Sequence, residues 1–201
     1  MKPGGSPKVD ANGDGKNDLL WRNSDGTIAL WQMDGSRIAG GLNLAVPNSW
    51  GIAEATERGA SLTGDGGNNT LRGTINNDKL SGLAGNDILT GNGGADTFIF
   101  TTALSASTNI DTITDFRVAD DAIQLENAVF GSLSATGVLA SDMLHSGAGV
   151  TAAADANDFL IYNATTGALY YDPDGNGDAA AVQFATLGAG LALTAGNFVV
   201  S

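Results

Sequence analysis

Four consecutive nine-residue segments carry the residues best suited to chemistry in this chain. They read GDGGNNTLR, GTINNDKLS, GLAGNDILT and GNGGADTFI and span residues 64–99. Three columns repeat: glycine at place one (Gly64, Gly73, Gly82, Gly91), Asn or Asp at place six (Asn69, Asp78, Asp87, Asp96) and a large apolar residue at place eight (Leu71, Leu80, Leu89, Phe98). Glycine and asparagine adopt positive φ at low cost, so places one to six predict a tight turn with exposed carbonyl oxygens. Oxygen ligands alone suit a hard cation such as Ca²⁺.

The last three residues of each segment predict a very short strand with its apolar residue pointing inward. One such strand cannot bury its apolar face alone, whereas stacked copies can, so the pattern predicts a solenoid. A flexible Gly/Asn/Asp-rich linker is the alternative, and the registered apolar column argues against it.

This stretch resembles the RTX nonapeptide repeat, G-G-x-G-x-D-x-U-x, a calcium-binding β-helix. The resemblance implies a parallel β-roll in which two repeats form one coil and ions lie between turns stacked on the same side. The first implied ion lies between 64–69 and 82–87, with carbonyl ligands from Gly64, Gly66, Gly82 and Ala84 and side-chain ligands Asn69 and Asp87. The second lies between 73–78 and 91–96, with carbonyl ligands from Gly73, Ile75, Gly91 and Gly93 and side-chain ligands Asp78 and Asp96.

The repeats depart from the family pattern in places. Asn69 replaces the first aspartate, so the first site has one carboxylate fewer and is expected to bind more weakly. Residues 74–76 lack the usual glycines. The preceding nine residues, 55–63, keep Leu62 but have Ala60 at the ligand place, and they predict a metal-free coil that starts the stack.

A second calcium-type pattern lies near the N-terminus. Oxygen-bearing side chains occupy places 1, 3, 5 and 9 of a loop with Gly15 at place 6, which matches the front of an EF-hand loop. The candidate ligands of one ion are Asp10, Asn12, Asp14, Lys16 through its place-7 carbonyl, and Asp18. Trp21 stands where Glu would be and strands rather than helices flank the loop, so it is no EF-hand. Residues 10–35 resemble an FG-GAP/VCBS-type repeat, with strands predicted at 19–22 and 27–33; a plain Asp/Asn/Gly turn is the alternative.

The segment after the repeats contains D-x-I-x-D-F at 111–116 and D-x-I-x-L at 121–125. The pair resembles the segment that follows RTX repeats in serralysin-type C-terminal domains, which implies a further calcium site using Asp115 and Asp121. Two short strands with solvated acids are the alternative. Residues 159–187 predict a β-meander, and the apolar end at 191–201 resembles the tail of RTX proteins that lies within their export signal.

The turn at 172–178, DPDGNGD, is also acidic. It could bind Ca²⁺, but a hairpin loop rich in Gly and Asp has the same composition, and the plain loop is the favoured interpretation.

Composition narrows the function. The net charge of −13 argues against nucleic acid, which requires a basic surface. The chain has no cysteine and one histidine, His145. It also lacks the metalloprotease motif H-E-x-x-H and the serine-hydrolase motif G-x-S-x-G, and these observations argue against an enzyme of either class. No apolar run approaches the roughly 18–20 residues of a membrane span, and no N-terminal signal peptide is visible.

Together these observations predict an all-β protein, a parallel β-roll capped by a C-terminal β-meander, with a small N-terminal β segment. The predicted divisions are a disordered lead at 1–9, the FG-GAP/VCBS-like segment at 10–55, the roll at 56–100 and a capping domain with a type I secretion signal at 101–201. The predicted function is a secreted, non-enzymatic calcium-binding protein of bacterial surface adhesion or matrix assembly, folded by external Ca²⁺. Its expected partners are calcium, the type I secretion apparatus, and either another copy or a cell-surface or polysaccharide partner. The alternative is a secretion and stabilisation module of an RTX exoenzyme.

Overall fold

The computed structural model describes residues 59–201 and three strands in the N-terminal part. The chain divides into two compact units, Met1–Thr56 and Glu57–Ser201. In the first unit, β1 (Leu19–Arg22), β2 (Thr27–Asp34) and β3 (Arg37–Ala45) form an antiparallel sheet in the order β1-β2-β3. The first two strands confirm the predicted pair at 19–22 and 27–33, and the third was not predicted.

The second unit is built from short strands in two sheets. The strands are β4 Ser61–Thr63, β5 Thr70–Arg72, β6 Lys79–Ser81, β7 Ile88–Thr90, β8 Thr97–Phe100, β9 Asp111–Ile113, β10 Ala122–Leu125, β11 Gly137–Val138, β12 Leu144–Gly147, β13 Leu160–Asn163, β14 Ala168–Tyr171, β15 Val182–Thr186 and β16 Phe198–Val200. One sheet has the order β11-β16-β10-β8-β6-β4 and the other β12-β13-β14-β15-β9-β7-β5. The fold class is therefore all-β, as predicted.

Successive repeats send their strands alternately to the two sheets. Leu62 pairs with Leu80 and Leu80 with Phe98 in parallel in the six-stranded sheet, while Leu71 pairs with Leu89 in the seven-stranded sheet. Partners are eighteen residues apart, which is two repeats. One coil of the roll thus contains two repeats, and β4 places residues 61–63 at the start of the stack.

Two further turns of the roll follow the recognisable repeats. Ile113 of β9 continues the apolar column after Leu89, and Ile123 of β10 continues it after Phe98. The spacing here is 24 and 25 residues instead of 18, because the chain inserts extra residues between coils. Asp111 and Asp121 precede these isoleucines by two residues, as the place-six residue precedes the place-eight residue in each repeat.

The C-terminal part closes the roll by extending both sheets. β13, β14 and β15 form the predicted antiparallel meander, and β15 then pairs in parallel with β9. β16 pairs in parallel with β10, so it lies inside the six-stranded sheet. Strands from the predicted segments 56–100 and 101–201 therefore share the same two sheets. Two 3₁₀ turns, Ser141–Met143 and Ala195–Asn197, lie in the same part of the chain.

One apolar core fills the space between the sheets. Leu80, Leu89 and Phe98 are completely buried, and Ile113 and Ile123 are exposed by no more than 1%. The core continues into the cap through edge-to-face contacts of Phe184 with Phe100 and Phe130, each with ring centroids 5.1 Å apart. Among the described residues, no helix is long and apolar enough to cross a bilayer.

The apolar column should account for much of the stability of the calcium-loaded protein. Leu89→Ala should lower the free energy of unfolding by about 2–5 kcal/mol, because Leu89 is fully buried and its truncation leaves a cavity. Val138→Ala is the control, since Val138 is 67% exposed and should change stability by less than about 0.5 kcal/mol. Urea unfolding followed by circular dichroism in calcium measures both, and equal effects would contradict this account of the core.

Candidate metal centre

The place-six side chains stack in two columns along the roll. We call them the acid ladder: Asp78, Asp96 and Asp121 in one column, and Asn69, Asp87 and Asp111 in the other. The five aspartates are between 1% and 5% exposed. A tight turn closes over each side chain while the next coil covers it, so the fold buries carboxylates one above another.

One oxygen of each ladder carboxylate is used to hold the coils together. Asp87 accepts the N–H of Asn69 at 2.7 Å, Asp96 accepts that of Asp78 at 2.8 Å, and Asp111 accepts that of Asp87 at 3.1 Å. Asp121 accepts the N–H of Asp96 at 2.9 Å, and the Ala60 N–H donates to Asp78. Each bond joins a place-six residue to the same place one coil later.

Closed and open turns differ in whether the place-two N–H donates to the place-six side chain. In three turns the place-two N–H donates to the place-six side chain, from Asp65 to Asn69 at 2.7 Å, from Thr74 to Asp78, and from Arg117 to Asp121 at 2.8 Å. These turns are closed because the chain caps its own ligand oxygen.

The turns at 82–87 and 91–96 are open. Their place-two residues, Leu83 and Asn92, have φ of 69° and 70°, and their place-four glycines, Gly85 and Gly94, also have positive φ. The Asn92 N–H donates to Asp115 at 2.8 Å instead of to Asp96. This conformation turns the place-two N–H away and leaves a carboxylate oxygen free in each turn.

The environment of the Asp87 carboxylate shows whether these residues fit a cation. Its Oδ2 atom is buried and, within the described part of the chain, has no hydrogen-bond partner. A buried carboxylate oxygen without a donor is costly unless a cation neutralises it. The residues present therefore fit a hard divalent cation.

The place-one glycines show where oxygen atoms converge. A Cβ built at Gly64 would lie 2.1 Å from Asn69 Oδ1 and 2.4 Å from the Gly82 carbonyl oxygen. A Cβ built at Gly73 would lie 2.4 Å from Asp78 Oδ2 and 2.6 Å from the carbonyl oxygen of Gly91. A carbonyl from one turn and a side-chain oxygen from the turn stacked on it thus reach the same point, which only glycine leaves open.

Few cations are available inside this unit to neutralise the ladder. Residues 59–201 contain fifteen acidic residues against three lysines and arginines. The ion pairs recorded for the described residues are Arg117 with Asp120 at 3.4 Å and His145 with Asp158 at 3.7 Å, and neither includes a ladder residue. No three acidic or histidine side chains converge in this part of the chain, so an ion here would need carbonyl ligands as well.

Burial makes ionisation of the ladder unfavourable. Desolvation, with a smaller contribution from the nearby Asp87 carboxylate, raises the pKa of Asp111 to about 7. Desolvation also raises the pKa values of Asp96 and Asp121, and neighbouring carboxylates add to both shifts. The exposed Asp65 behaves oppositely, since the N–H of Gly67 and the Asn69 side chain lower its pKa.

The structure places the remaining predicted ligands as follows. Gly66, Ile75, Ala84 and Gly93 occupy the third place of the four turns; Ile75 is 83% exposed, so only its main chain faces its own turn. The candidate ligands of the 10–18 loop, Asp10, Asn12, Asp14, Lys16 and Asp18, lie outside the described residues.

The structure describes the surroundings of Asp115 and Asp121, the residues of the further predicted site, and the carboxylate of Asp115 lies near enough to Asp121 to raise its pKa in addition to the larger effect of desolvation. Asp115 accepts the N–H groups of Gly91 at 2.9 Å and Asn92 at 2.8 Å, so it caps the open turn 91–96. Asp121 is a ladder residue and is 5% exposed, so it is not a solvated acid. Both oxygens of each carboxylate already accept N–H groups, and their role as ligands stays a prediction.

Asp111 is the ladder residue that the sequence analysis did not name. Asp111 begins the sequence D-x-I, which matches the D-x-U part of the nine-residue repeat and could have identified it. The insertion before it broke the nine-residue register and concealed it.

Comparison with known proteins agrees with this geometry. Residues 63–98 match the model of the RTX calcium-binding nonapeptide repeat, in four copies. These residues are RTX repeats. A search of the solved structures finds a similarity to the solution structure of the AlgE6R3 subunit from the Azotobacter vinelandii mannuronan C5-epimerase, with 24% identity, 70% of this chain and 78% of that chain covered, and a TM-score of 0.39. No curated protein matches the chain.

RTX repeats bind Ca²⁺, so the four repeats matched at 63–98, which contain both open turns, are calcium-binding repeats. The family model matches residues 63–98 and does not reach the N-terminal segment. The resemblance of residues 10–35 to FG-GAP/VCBS repeats stays a prediction.

A side chain at Gly82 should weaken calcium binding. A Cβ there would lie 2.1 Å from the free Oδ2 of Asp87 and 2.9 Å from its Cβ, so Gly82→Ala must displace the carboxylate. We expect a loss of about 1–3 kcal/mol of stability in calcium from the overpacking, measured by urea unfolding, together with weaker calcium binding by calorimetry. Gly131→Ala is the control, because a Cβ there meets nothing within 4 Å; equal effects would show that the contact with Asp87 is unimportant.

Acid should partly replace calcium. The folded-state pKa of Asp111, about 7, lies above its ordinary value of 3.8, so its contribution to stability is present at low pH and is lost as pH rises through 7. The upper limit is about 1.4 kcal/mol per pH unit for each such group. Circular dichroism of calcium-free protein should show more β-structure at pH 5.5 than at pH 7.5, and Asp111→Asn should reduce the difference; a calcium-free protein that gains β-structure as pH rises would contradict the prediction.

Proposed function

We propose that this chain is a secreted, non-enzymatic calcium-binding protein whose RTX unit folds on external Ca²⁺ and acts in bacterial surface adhesion or matrix assembly. The observation that carries the proposal is the buried, unpartnered Oδ2 of Asp87 inside a ladder of buried carboxylates. Without a cation this arrangement opposes folding, and with one it becomes a set of ligands.

The proposed ions occupy the two stacked pairs of turns. One lies between 64–69 and 82–87 and the other between 73–78 and 91–96, with the carbonyl and side-chain ligands expected from the repeats. In each pair the later turn is open and the earlier turn is closed. In the open turn the aspartate oxygen can bind the ion directly. In the closed turn the hydrogen bond from the place-two N–H to Asn69 or Asp78 must break before that side chain can bind the ion.

Calcium supplies positive charge to a ladder that has few cationic side chains near it among residues 59–201. Neutralising stacked carboxylates removes both their mutual repulsion and the cost of burying them, so binding is coupled to folding. Extracellular calcium modules bind at roughly 10⁻⁴–10⁻³ M, a range that keeps such a chain unloaded in a low-calcium cytosol and loads it outside.

The C-terminal strand supports export before folding. Phe198 and Val200 are buried, and β16 is hydrogen-bonded between β10 and β11. The tail at 191–201, which is predicted to lie within the export signal, thus has its apolar side chains Phe198 and Val200 accessible only while the unit is unfolded, which suits type I secretion followed by calcium-driven folding.

Strand edges that have no strand partner among residues 59–201 support an adhesive or assembly role. β4 and β5 end the two sheets at the start of the roll, and Leu62 and Leu71 are less buried there than the later residues of the apolar column. An open parallel edge can accept another strand. A second copy or a cell-surface or polysaccharide partner could use this end.

The second candidate is a secretion and stabilisation module of an RTX exoenzyme. The division of the chain favours it, because residues 57–201 form a compact unit separate from residues 1–56. A unit of this kind can be joined to a catalytic domain without changing its own fold.

Calcium should convert the unit from coil to β-structure. Far-UV circular dichroism of EDTA-treated protein should show this transition at sub-millimolar to millimolar Ca²⁺ and not with Mg²⁺, and Asp87→Asn should shift the midpoint to at least about tenfold higher calcium. Asp142→Asn, a neutralisation at an exposed position, should leave the midpoint unchanged. A chain fully folded in EDTA at pH 7.5 would reject calcium-driven folding, and an activity on a polysaccharide or protein in the purified chain would reject the non-enzymatic assignment.

A further inference from the structure

Leu83 and Asn92 are the residues other than glycine that adopt positive φ in the described part of the chain, at 69° and 70°. Each stands at place two of an open turn. Positive φ is unfavourable for a side chain with a Cβ, and for a bulky residue such as leucine it is rare. Such a conformation persists only where surrounding groups hold it, and it is frequent at ligand-binding sites. The groups that contact these two residues therefore determine whether the turns stay open.

Asp115 holds the second open turn from the coil that follows it. Its Oδ1 atom accepts the N–H of Gly91 at 2.9 Å, and its Oδ2 atom accepts that of Asn92 at 2.8 Å. On the opposite side, Asn92 Nδ2 donates to the Gly73 carbonyl of the preceding coil at 2.7 Å. Because the Asn92 N–H is bound to Asp115, it does not donate to Asp96, and one oxygen of Asp96 stays available.

Thr102 contacts the first open turn in a comparable way. Its Oγ1 atom donates to the Leu83 carbonyl. The Thr102 hydroxyl is itself fixed, because Asn109 Nδ2 donates to it at 3.2 Å and to the Ala103 carbonyl at 2.8 Å. Asn109 is buried, so it is a firm support for this contact. The hydrogen bond anchors the peptide group that follows Leu83 and thereby favours the positive φ of that residue.

Both contacts come from the loops that interrupt the nine-residue period. Six residues, 91–96, separate β7 from β8, whereas ten residues, 101–110, separate β8 from β9 and eight, 114–121, separate β9 from β10. Turns 64–69 and 73–78 are followed by ordinary repeats in the next coil, and both are closed. The two open turns are those on which the longer loops are stacked. These loops thus supply groups that a nine-residue repeat lacks.

We propose that Asp115 and Thr102 are positioning residues of the two calcium sites: they hold turns 91–96 and 82–87 open for the ion. The inference rests on the proposed function for the identity of that ion. Neither side chain needs to touch the ion, because each acts through the fraction of molecules whose turn is open. The apparent affinity falls in proportion to that fraction.

The charge of Asp115 must be separated from its position. Desolvation raises the pKa of Asp96, and the Asp115 carboxylate adds to the shift, so loss of this charge changes the electrostatics of the site as well as the turn. Asp120 lies in the same loop, and its exposed side chain pairs with Arg117 at 3.4 Å. Neutralising Asp120 removes the same charge but keeps the hydrogen bonds to the turn. Thr102 carries no charge, so its replacement tests position alone.

Calcium titration of the full chain, followed by far-UV circular dichroism, measures the effect of Asp115. Asp115→Asn should raise the calcium midpoint by about tenfold, the result expected when about one molecule in ten has the turn open. Asp120→Asn is the matched control and should leave the midpoint unchanged. Equal midpoints for the two variants would overturn the proposal. An Asp115→Asn chain that stays unfolded at saturating calcium would do the same, since Asp115 would then be needed for the fold itself.

The same titration tests Thr102. Thr102→Val removes the hydroxyl with little change of shape and should raise the midpoint by at least about threefold. Thr101→Val is its control, because Thr101 is the exposed neighbour. Adding Leu83→Gly to Thr102→Val should restore the midpoint, since glycine adopts positive φ at low cost. Equal midpoints for Thr102→Val and Thr101→Val would contradict the role of Thr102.

Amide hydrogen exchange in calcium separates positioning from general stabilisation. In the wild type, the N–H groups of Gly91 and Asn92 should exchange slowly, because Asp115 accepts both. Asp115→Asn should speed the exchange of at least one of them by about tenfold or more, since an amide side chain has a single acceptor oxygen. The Asp96 N–H, which donates to Asp121, should keep its protection, whereas a general loss of stability would expose it too. Fast exchange of both amides in the calcium-loaded wild type would contradict the proposal.

Hydrogen exchange also distinguishes failure of this inference from failure of the proposed function. A wild-type chain that is fully folded in EDTA would reject calcium-driven folding. The amides of Gly91 and Asn92 should then be protected in EDTA as well, and calorimetry would compare the calcium affinities of the same variants in place of their midpoints. Unprotected amides in that folded chain would overturn the role of Asp115 independently of calcium.

Discussion

Buried aspartates stacked one coil apart are the constraint on which the rest of this unit depends. The ladder carboxylates are almost inaccessible to water, and the residues that surround them carry few positive charges. Each carboxylate uses one oxygen to hold the preceding coil, so removing the acids would also remove bonds between coils. Substitution of the acids would therefore neutralise the ladder only by loosening the stack, and the three lysines and arginines of residues 59–201 are too few to neutralise it. A divalent ion bound by carbonyl and carboxylate oxygens satisfies both requirements together.

Packing of the apolar column stabilises the coils in which the aspartates are buried. Each turn is followed two residues after its acid by a fully buried Leu, Ile or Phe, and these side chains contact those of the coils above and below. Burial of about 1.5–3 kcal/mol per side chain offsets part of the electrostatic cost. Strands of three residues contribute little by themselves, so the two columns are needed together: the apolar column gives cohesion and the ladder fixes which coil follows which.

Much of this architecture could be predicted from the sequence, and the failures have physical causes. The regular period of the repeats was enough to predict the turns, the short strands and the pairing of strands that lie two repeats, or eighteen residues, apart. Asp111 was missed because period is the only signal of a solenoid, and an insertion before β9 interrupts it without disturbing the stack. Asp121 was assigned to a separate site for the same reason. The difference between closed and open turns could not be predicted, since Leu83 and Asn92 adopt positive φ while Asp65 and Thr74 occupy the same place without doing so. Whether a turn is closed or open depends on which neighbouring group accepts the hydrogen bond from the place-two N–H.

A second, neutral ladder explains how the coils keep their register when the acid ladder is uncompensated. At place five, the side chain of Asn68 accepts the N–H of Asn86 at 2.9 Å, Asn77 accepts that of Ala95 at 2.8 Å, and Asn86 accepts that of Ile110 at 2.8 Å. These bonds run from the later coil to the earlier one, opposite to those of the acid ladder, so each junction is held from both sides. Amides carry no charge, and their bonds are indifferent to calcium. The same reasoning explains Asn69 at the start of its column: it accepts the N–H of Asp65 as an aspartate would, but adds no charge where the stack begins. The place-five amides thus contribute to register alone, whereas the side chains at place six, Asn69 among them, supply the ligand oxygens of the proposed calcium sites.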